Sequence, residues 1–167
     1  MSRTLLLTLL LLFPGCGDDM PGCPDPGGRC VSARFSFAGG DSLYFMGPSV
    51  LSLSAAGKGE IKAQDISNPY AVSIQWVLAK VTGPGTHSPN VTGGPVEIYI
   101  TRPHPTRPYP NNRTSNTRYG SLTFTSVSTT SGQETAGSFD ALRLVRTAAD
   151  DKIDLTITEG SFKAAVP

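Results

Sequence analysis

The sequence predicts an all-β protein, an antiparallel β-sandwich or alternatively a barrel of about eight strands. Apolar and polar residues alternate with a period of two through much of the chain after residue 30. Glycine (18 residues) and proline (14 residues) are frequent in this chain of 167 residues and recur between the alternating stretches. Both destabilise helix interiors, so the composition favours short strands joined by turns.

The candidate strands follow one another from residue 31. In the first, Val31, Ala33, Phe35 and Phe37 share one face, and the residues Gly39–Asp41 then turn the chain. Further strands are predicted near Leu43–Met46, Val50–Leu53, Glu60–Gln64, Tyr70–Lys80, Val96–Ile100, Leu122–Val127, Phe139–Val145 and Lys152–Val166. We therefore assign residues 31–167 to one β-domain, which is long enough to bury about two thirds of its unfolded surface.

Residues 1–15 have the pattern of a secretory signal peptide. One positive charge at Arg3 precedes the apolar run Leu5–Phe13, which is interrupted only by Thr8. This run is too short to span a bilayer, which needs about 20 apolar residues. A buried core helix is the alternative, but Pro14 and Gly15 would end it at once. The segment therefore indicates export.

The end of this leader resembles the lipobox of bacterial lipoproteins in the stretch Leu12–Cys16, which reads LFPGC. In that family, signal peptidase II cleaves before the cysteine, and acyl chains such as palmitate are then attached to it. The resemblance implies that Cys16 begins the mature chain and anchors it in a membrane, as two or three acyl chains do stably. Gly17 stands where an aspartate would favour the inner membrane, which implies the outer membrane. Phe13 and Pro14 depart from the usual pattern, so an unlipidated secreted protein stays as an alternative.

The three cysteines all lie near the N-terminus. If Cys16 carries lipid, Cys23 and Cys30 remain as a pair that a disulfide would join. The loop between them is rich in proline and glycine, so it folds back easily. A metal site and two free thiols are the alternatives, although the pair-wise spacing of a zinc site is absent. Residues 16–30 are interpreted as a lipidated tether that contains this small loop.

The C-terminal part carries a second resemblance, in the stretches Thr135–Leu144 and Ile153–Phe162. These are similar to the ending of many exported bacterial lipoproteins of unknown function, which close with a G-x-F strand, a short hairpin and an I-T-x-G-x-F strand. The resemblance implies a β-sandwich and names no activity. We expect Gly137 and Gly160 to permit a bulge or sharp bend, and Phe139 and Phe162 to fill the core.

A basic, proline-rich stretch is the most unusual polar feature of the sequence. No acidic residue occurs between Glu97 and Glu134. Arginine, histidine and tyrosine are interleaved there, at Arg102, His104, Arg107, Tyr109, Arg113, Arg118 and Tyr119. Such a loop suits an anionic envelope polymer, which arginine forks and ring stacking would hold. The alternative is a solvated connection extended by its prolines. Nucleic acid is not expected as a partner of an exported protein.

The sequence contains no recognisable catalytic group. His87 and His104 lie in turn-rich stretches and are interpreted as surface residues, and no G-x-S-x-G elbow is present. Trp76 alternates with apolar residues and is assigned to the core. The clustered acids are interpreted as solvated turn residues, namely Asp150, Asp151 and Asp154. We therefore predict no catalytic residue, no metal and no cofactor.

The net charge of +1, with charged residues at 16%, implies no polyanionic partner for the chain as a whole. Taken together, these features predict a cell-envelope lipoprotein that is a non-enzymatic binding or structural module. Its partners would be the membrane, through the lipid, and an anionic envelope polymer or another envelope protein. An envelope hydrolase that acts on glycans or peptides is the alternative.

Overall fold

The computed structural model describes residues 23–65, 67–89, 94–101, 116–148 and 151–167, with the backbone alone at 116–119, 146–148 and 151–153. The predicted all-β fold is confirmed, since the described strands form a single antiparallel sheet that curls into a nearly closed barrel. In chain order they are β1 (Cys30–Phe37), β2 (Ser42–Ser54), β3 (Lys58–Gln64), β4 (Ala71–Val77), β5 (Gly85–His87), β6 (Val96–Thr101), β7 (Asn116–Ser126), β8 (Glu134–Ala148) and β9 (Asp151–Ala165). Over these ranges there is no helix long and apolar enough to cross a membrane.

The sheet has the strand order β5-β7-β8-β9-β1-β2-β3-β4-β6. Strand β2 connects its two parts, because Ser42–Pro48 pairs with β1 and Ser49–Ser54 pairs with β3. The sequence predicted two separate strands here, on either side of Gly47 and Pro48. The chain instead continues as one strand of 13 residues. A Cβ built on Gly47 would lie 2.4 Å from the backbone oxygen of Gln64, so only glycine fits at this crossing.

Asp65 fastens this crossing from the end of β3. Its side chain is buried, with 4% of the residue exposed. The backbone N–H of Met46 donates to Oδ2 at 2.8 Å, and Asn68 Nδ2 donates to the same oxygen at 2.6 Å. The N–H and hydroxyl of Ser67 donate to Oδ1 at 2.7 and 2.6 Å. The carboxylate therefore joins β2 to the turn that leads into β4.

The interior of the barrel is filled by one hydrophobic cluster, to which every strand except the short β5 contributes. Most inward positions predicted from the alternation are buried, as is Trp76, which is 1% exposed, whereas Phe37 is only partly buried. Aromatic rings run through the centre, with Phe124 in edge contact with both Trp76 and Phe162. Side chains of this size contribute about 1.5–3 kcal/mol each on burial, so the core is the main source of stability.

Gly137 and Gly160 make room for aromatic rings, and a register shift lies beside each of them. One is between Phe124 and Ser126, where β7 pairs with β8 next to Gly137, and the other is between Arg34 and Phe35, where β1 pairs with β9 near Gly160. The pairing of β8 with β9 runs through both without a shift, with Gly137 opposite Phe162 and Phe139 opposite Gly160. A Cβ built on Gly137 would lie 2.4 Å from Phe162 Cζ, and one on Gly160 would lie 2.7 Å from Phe139 Cδ2. Non-bonded carbon atoms prefer a separation of about 3.5–4.0 Å. The expectation that Phe139 and Phe162 fill the core is confirmed.

A further irregular point of this region lies between β7 and β8. Gly120 has a φ of 99° and Ala141 a φ of 44°, both in the left-handed region. The register between the two strands shifts at this place, between Tyr119 and Ser121. A Cβ on Gly120 would lie 2.6 Å from the carbonyl oxygen of Ala141, so glycine is required here as well.

Candidate ligand-binding face

A groove of about 720 Å³ lies along the outer face of β2, β3, β4 and β6. Its lining combines polar and small apolar side chains, namely Pro48, Val50, Glu60, Lys62, Ala63, Gln64, Ala71, Val72, Ser73, Gln75, Tyr99 and Thr101. We call this feature the groove. Its volume falls in the range of about 300–1,000 Å³ that small-molecule sites occupy.

The strand register arranges the polar side chains of the groove in rows across the sheet. One row runs from Lys62 through Ser73 to Tyr99. The next row runs from Glu60 through Gln75 to Glu97. Directly opposed residues have their Cβ atoms about 4.5–5.5 Å apart, so neighbours in a row can form hydrogen bonds. The period-two pattern turns these residues outward because the intervening positions fill the core.

Glu60 is the centre of a hydrogen-bond network in this face. Its Oε1 accepts from Ser73 Oγ at 2.7 Å and from Gln75 Nε2 at 2.8 Å. Its Oε2 lies 3.0 Å from Lys62 Nζ, and the Glu60 side chain is only 19% exposed. Burial opposes ionisation, but the hydrogen bonds from Ser73, Lys62 and Gln75 outweigh it and keep the pKa of Glu60 below its ordinary value. Glu60 is therefore an ionised anchor that orients its three neighbours.

Tyr99 extends the network on the last strand of the face. Its hydroxyl donates a short hydrogen bond to Glu97 Oε2. Burial, this hydrogen bond and the negative charges of Glu97 and Glu60 together raise the pKa of Tyr99 to about 12. The phenol therefore stays neutral at physiological pH, and its ring is held at the sheet surface by the bond at its far end.

Apolar groups complete the groove beside the polar network. Val50 is 68% exposed, and among the described residues it is the one large hydrophobic side chain that reaches such exposure. Pro48 and Ala71 line the groove with it. A surface that combines a polar network with apolar side chains suits a ligand that has apolar faces and polar edges. The carboxylate of Glu60 is already committed to three donors on this face.

Of the residue sets predicted from the sequence, the structure brings together the cysteine pair. Cys23 and Cys30 are at disulfide-bonding distance, with their Cα atoms 5.9 Å apart, in agreement with the predicted pair. Cys16 and the leader lie outside the described residues. The predicted anionic-ligand loop also falls outside them at Arg102, His104, Arg107, Tyr109 and Arg113, while Arg118 and Tyr119 are described only as backbone of β7.

Two further residues singled out in the sequence have structural contacts. His87, on β5, packs its ring edge-on against Phe124, with the centroids 5.9 Å apart. Asp154 accepts two hydrogen bonds from Arg143, at 2.9 and 2.7 Å. Within the described ranges, no three His, Cys, Asp or Glu side chains are grouped as metal ligands would be.

Sequence reasoning did not single out the groove. Glu60, Ser73, Gln75 and Tyr99 are spread over 40 positions of the chain, in three strands that are not marked by any motif. The available signal was the alternation itself, which assigns the polar residues of β3, β4 and β6 to one outer face once their pairing is known. In the sheet, β4 pairs with β6, although β5 lies between them in the chain. The sequence analysis did not predict β5 as a strand.

The fold and the groove define an all-β protein with a filled barrel and a preorganised polar face. Comparison of the chain with protein-family models, with curated proteins and with solved structures finds no match.

Proposed function

We propose that the protein is an exported, lipid-anchored component of the bacterial cell envelope that works as a non-enzymatic binding module. The leader of residues 1–15 and the lipobox-like stretch ending at Cys16 support export and anchoring, with the outer membrane as the location. The groove supports binding. In this proposal residues 16–30 connect the lipid to the barrel, which holds the groove away from the membrane.

The observation that carries the binding proposal is the network centred on Glu60. Ser73 and Gln75 are held by hydrogen bonds of 2.7 and 2.8 Å to Glu60 before any ligand is present, and the more exposed Lys62 pairs with the same carboxylate at 3.0 Å. A rigid strand scaffold and fixed side chains lower the entropy lost on association, which is a property of binding sites. A surface ion pair such as that between Lys62 and Glu60 contributes little to the free energy of unfolding.

In this proposal, the basic stretch makes a second contact with the cell envelope. The sequence-based hypothesis is that it binds an anionic polymer such as lipopolysaccharide or peptidoglycan, through Arg102, His104, Arg107, Tyr109, Arg113, Arg118 and Tyr119. Another envelope protein is the alternative partner. No cofactor and no nucleic acid are part of this function.

The anchor is tested by mass spectrometry of the protein from the membrane fraction of a bacterial host. We expect a mature chain that begins at an acylated Cys16, and we expect Cys16→Ser to move the protein out of the membrane fraction. Cys23→Ser is the matched control, because it removes a cysteine that is not the acylation site and should leave the protein in the membrane. A mature chain that begins elsewhere and carries no lipid would refute the anchor.

Binding is tested separately with the full chain in detergent, using purified peptidoglycan sacculi and lipopolysaccharide vesicles as probes. We expect retention on at least one of them and no release of soluble glycan or peptide fragments. Fragment release would favour the hydrolase alternative. Replacement of the four arginines of the basic stretch by glutamine tests the anionic contact, and unchanged retention in low and high salt would reduce that stretch to a connection.

A further inference from the structure

We infer that the groove binds a neutral oligosaccharide. This inference rests on the proposed binding function and names the class of ligand that the groove would take. Three properties of the groove support it: its charge, its position on the sheet and the kinds of groups that line it.

The lining of the groove has no net charge. Lys62 and Glu60 are its two charged side chains, and they form an ion pair of 3.0 Å. The neighbouring carboxylate of Glu97 accepts from the neutral phenol of Tyr99. An anionic ligand would have to compete with these internal partners and would be repelled by the carboxylates of Glu60 and Glu97. The groove is therefore unsuited to an anionic ligand, in contrast to the basic stretch, and its balanced lining suits an uncharged one.

The position of the groove favours recognition by side chains. Its centre lies on the face of the sheet, where the backbone groups of β3 and β4 already pair with neighbouring strands on both sides, while β6 at its border is the terminal strand of the sheet. An extended peptide would bind to an open strand edge, because its affinity comes from main-chain hydrogen bonds. A ligand over the face must instead be read by hydroxyl, amide and aromatic groups, which is the chemistry of saccharide recognition.

The groups in the groove match both aspects of a sugar ring. The ring of Tyr99 and the side chains of Val50 and Ala71 offer apolar surface to the C–H bonds on one face of a pyranose. Ser73 uses its one donor and Gln75 one of its two donors on Glu60, which leaves the Ser73 oxygen, the Gln75 carbonyl oxygen and the second Gln75 N–H for hydrogen bonds with sugar hydroxyls. The volume of about 720 Å³ and the length of the rows suit a short oligosaccharide.

Isothermal titration calorimetry of the full chain in detergent tests this inference with cellohexaose, chitohexaose and the anionic oligomer hexagalacturonate as probes. We expect saturable binding of at least one of the two neutral probes and weaker binding of the anionic one. Tyr99→Ala and Gln75→Ala should each weaken the neutral ligand roughly tenfold or more, as is typical of central binding residues. Tyr99→Phe should bind within a few fold of the original chain, because it keeps the ring.

The matched control is Ser36→Ala with Thr156→Ala, which removes two hydroxyls from a paired position on β1 and β9, away from the groove. Its affinity should be unchanged, and circular dichroism should show that each variant is folded. The inference is overturned if neither neutral probe binds, if an extended peptide or hexagalacturonate binds more tightly, or if Tyr99→Ala and Gln75→Ala bind like the original chain. Retention on sacculi or vesicles without oligosaccharide binding would leave the proposed binding module intact and refute only the ligand class.

Discussion

The ring of Phe162 lies over the backbone of Gly137, so close that a Cβ at Gly137 would be 2.4 Å from Cζ of the ring. The relationship is repeated two residues further along the same strand pair, where Phe139 lies over Gly160. Each strand thus supplies one ring and one glycine. The two rings then contact each other, with centroids 5.6 Å apart, and close this side of the core.

Gly137→Ala should therefore destabilise the fold by about 1–3 kcal/mol, because the added methyl group would lie 2.2 Å from the backbone oxygen of Thr123 and 2.4 Å from Cζ of Phe162. Urea denaturation followed by circular dichroism measures the free energy of unfolding. Gly83→Ala is the matched control, since a Cβ there meets nothing within 4 Å, and its effect should stay within about 0.5 kcal/mol. Combining Gly137→Ala with Phe162→Leu should relieve only the part of the cost that comes from the ring, because the contact with the Thr123 backbone oxygen remains, and strict additivity would contradict a contribution of the ring.

Asp65→Asn should lower the free energy of unfolding at neutral pH by about 1–3 kcal/mol, because it weakens a buried set of hydrogen bonds. Burial raises the pKa of Asp65, but the bonds from Ser67, Met46 and Asn68 outweigh it and lower the pKa below the ordinary value. The contribution is therefore present above the unfolded value of about 3.9 and lost as pH falls through the folded pKa.

Chemical denaturation at a series of acidic pH values checks this dependence. The variant should lose less stability than the original chain as pH falls below about 4. Asp41→Asn, in an exposed position before β2, is the control and should leave the neutral stability nearly unchanged. Equal effects of the two substitutions would contradict the role given to Asp65.

Tyr99 should titrate at about pH 12 in the folded protein, which the absorbance change of tyrosinate measures as the difference between the original chain and Tyr99→Phe. An unfolded tyrosine titrates near pH 10. Since the folded pKa is raised, the stability from the neutral phenol is present below about pH 10 and lost as pH rises toward about 12. Glu97→Gln should move the titration toward lower pH. A Tyr99 that titrates at its ordinary value would contradict the hydrogen bond to Glu97.

Reduction of the bond between Cys23 and Cys30 should lower the free energy of unfolding by about 2.5 kcal/mol, because the sequence separation of 7 closes a short loop in the unfolded chain. Thermal unfolding with and without a reductant measures the change. The double variant Cys23→Ser with Cys30→Ser should not respond to the reductant. Recovery of two alkylated thiols from the native, unreduced protein would refute the bond.

The alternation of residues determined much of the fold. Burial of every second residue requires only that a strand has one dry face, so Val31, Phe35, Ile74 and Trp76 could be assigned to the core from the sequence. Turn residues likewise indicated where most strands end. The pair Cys23 and Cys30 was predicted from cysteine arithmetic, because the assignment of Cys16 to lipid leaves these two thiols with only each other.

Only the tertiary structure decided how the strands are combined. From the sequence alone, Gly47 and Pro48 are compatible with a turn. In the structure they lie within β2, where Gly47 allows the close approach of the end of β3. Gly137 and Gly160 could have marked bends, and the facing rings make them spaces for aromatic groups. The reason is the same in each case, since glycine permits both a bend and a close approach, and its neighbours from distant strands select between them.

The groove is likewise a feature that only the tertiary structure decided. The sequence determined that Glu60, Ser73, Gln75 and Tyr99 face outward, because their neighbours face the core. It did not determine that they lie in two adjacent rows, because that depends on the pairing of β3 with β4 and of β4 with β6. Cross-strand contacts link residues with no fixed spacing along the chain, so a polar site on a sheet face leaves no local motif in the sequence.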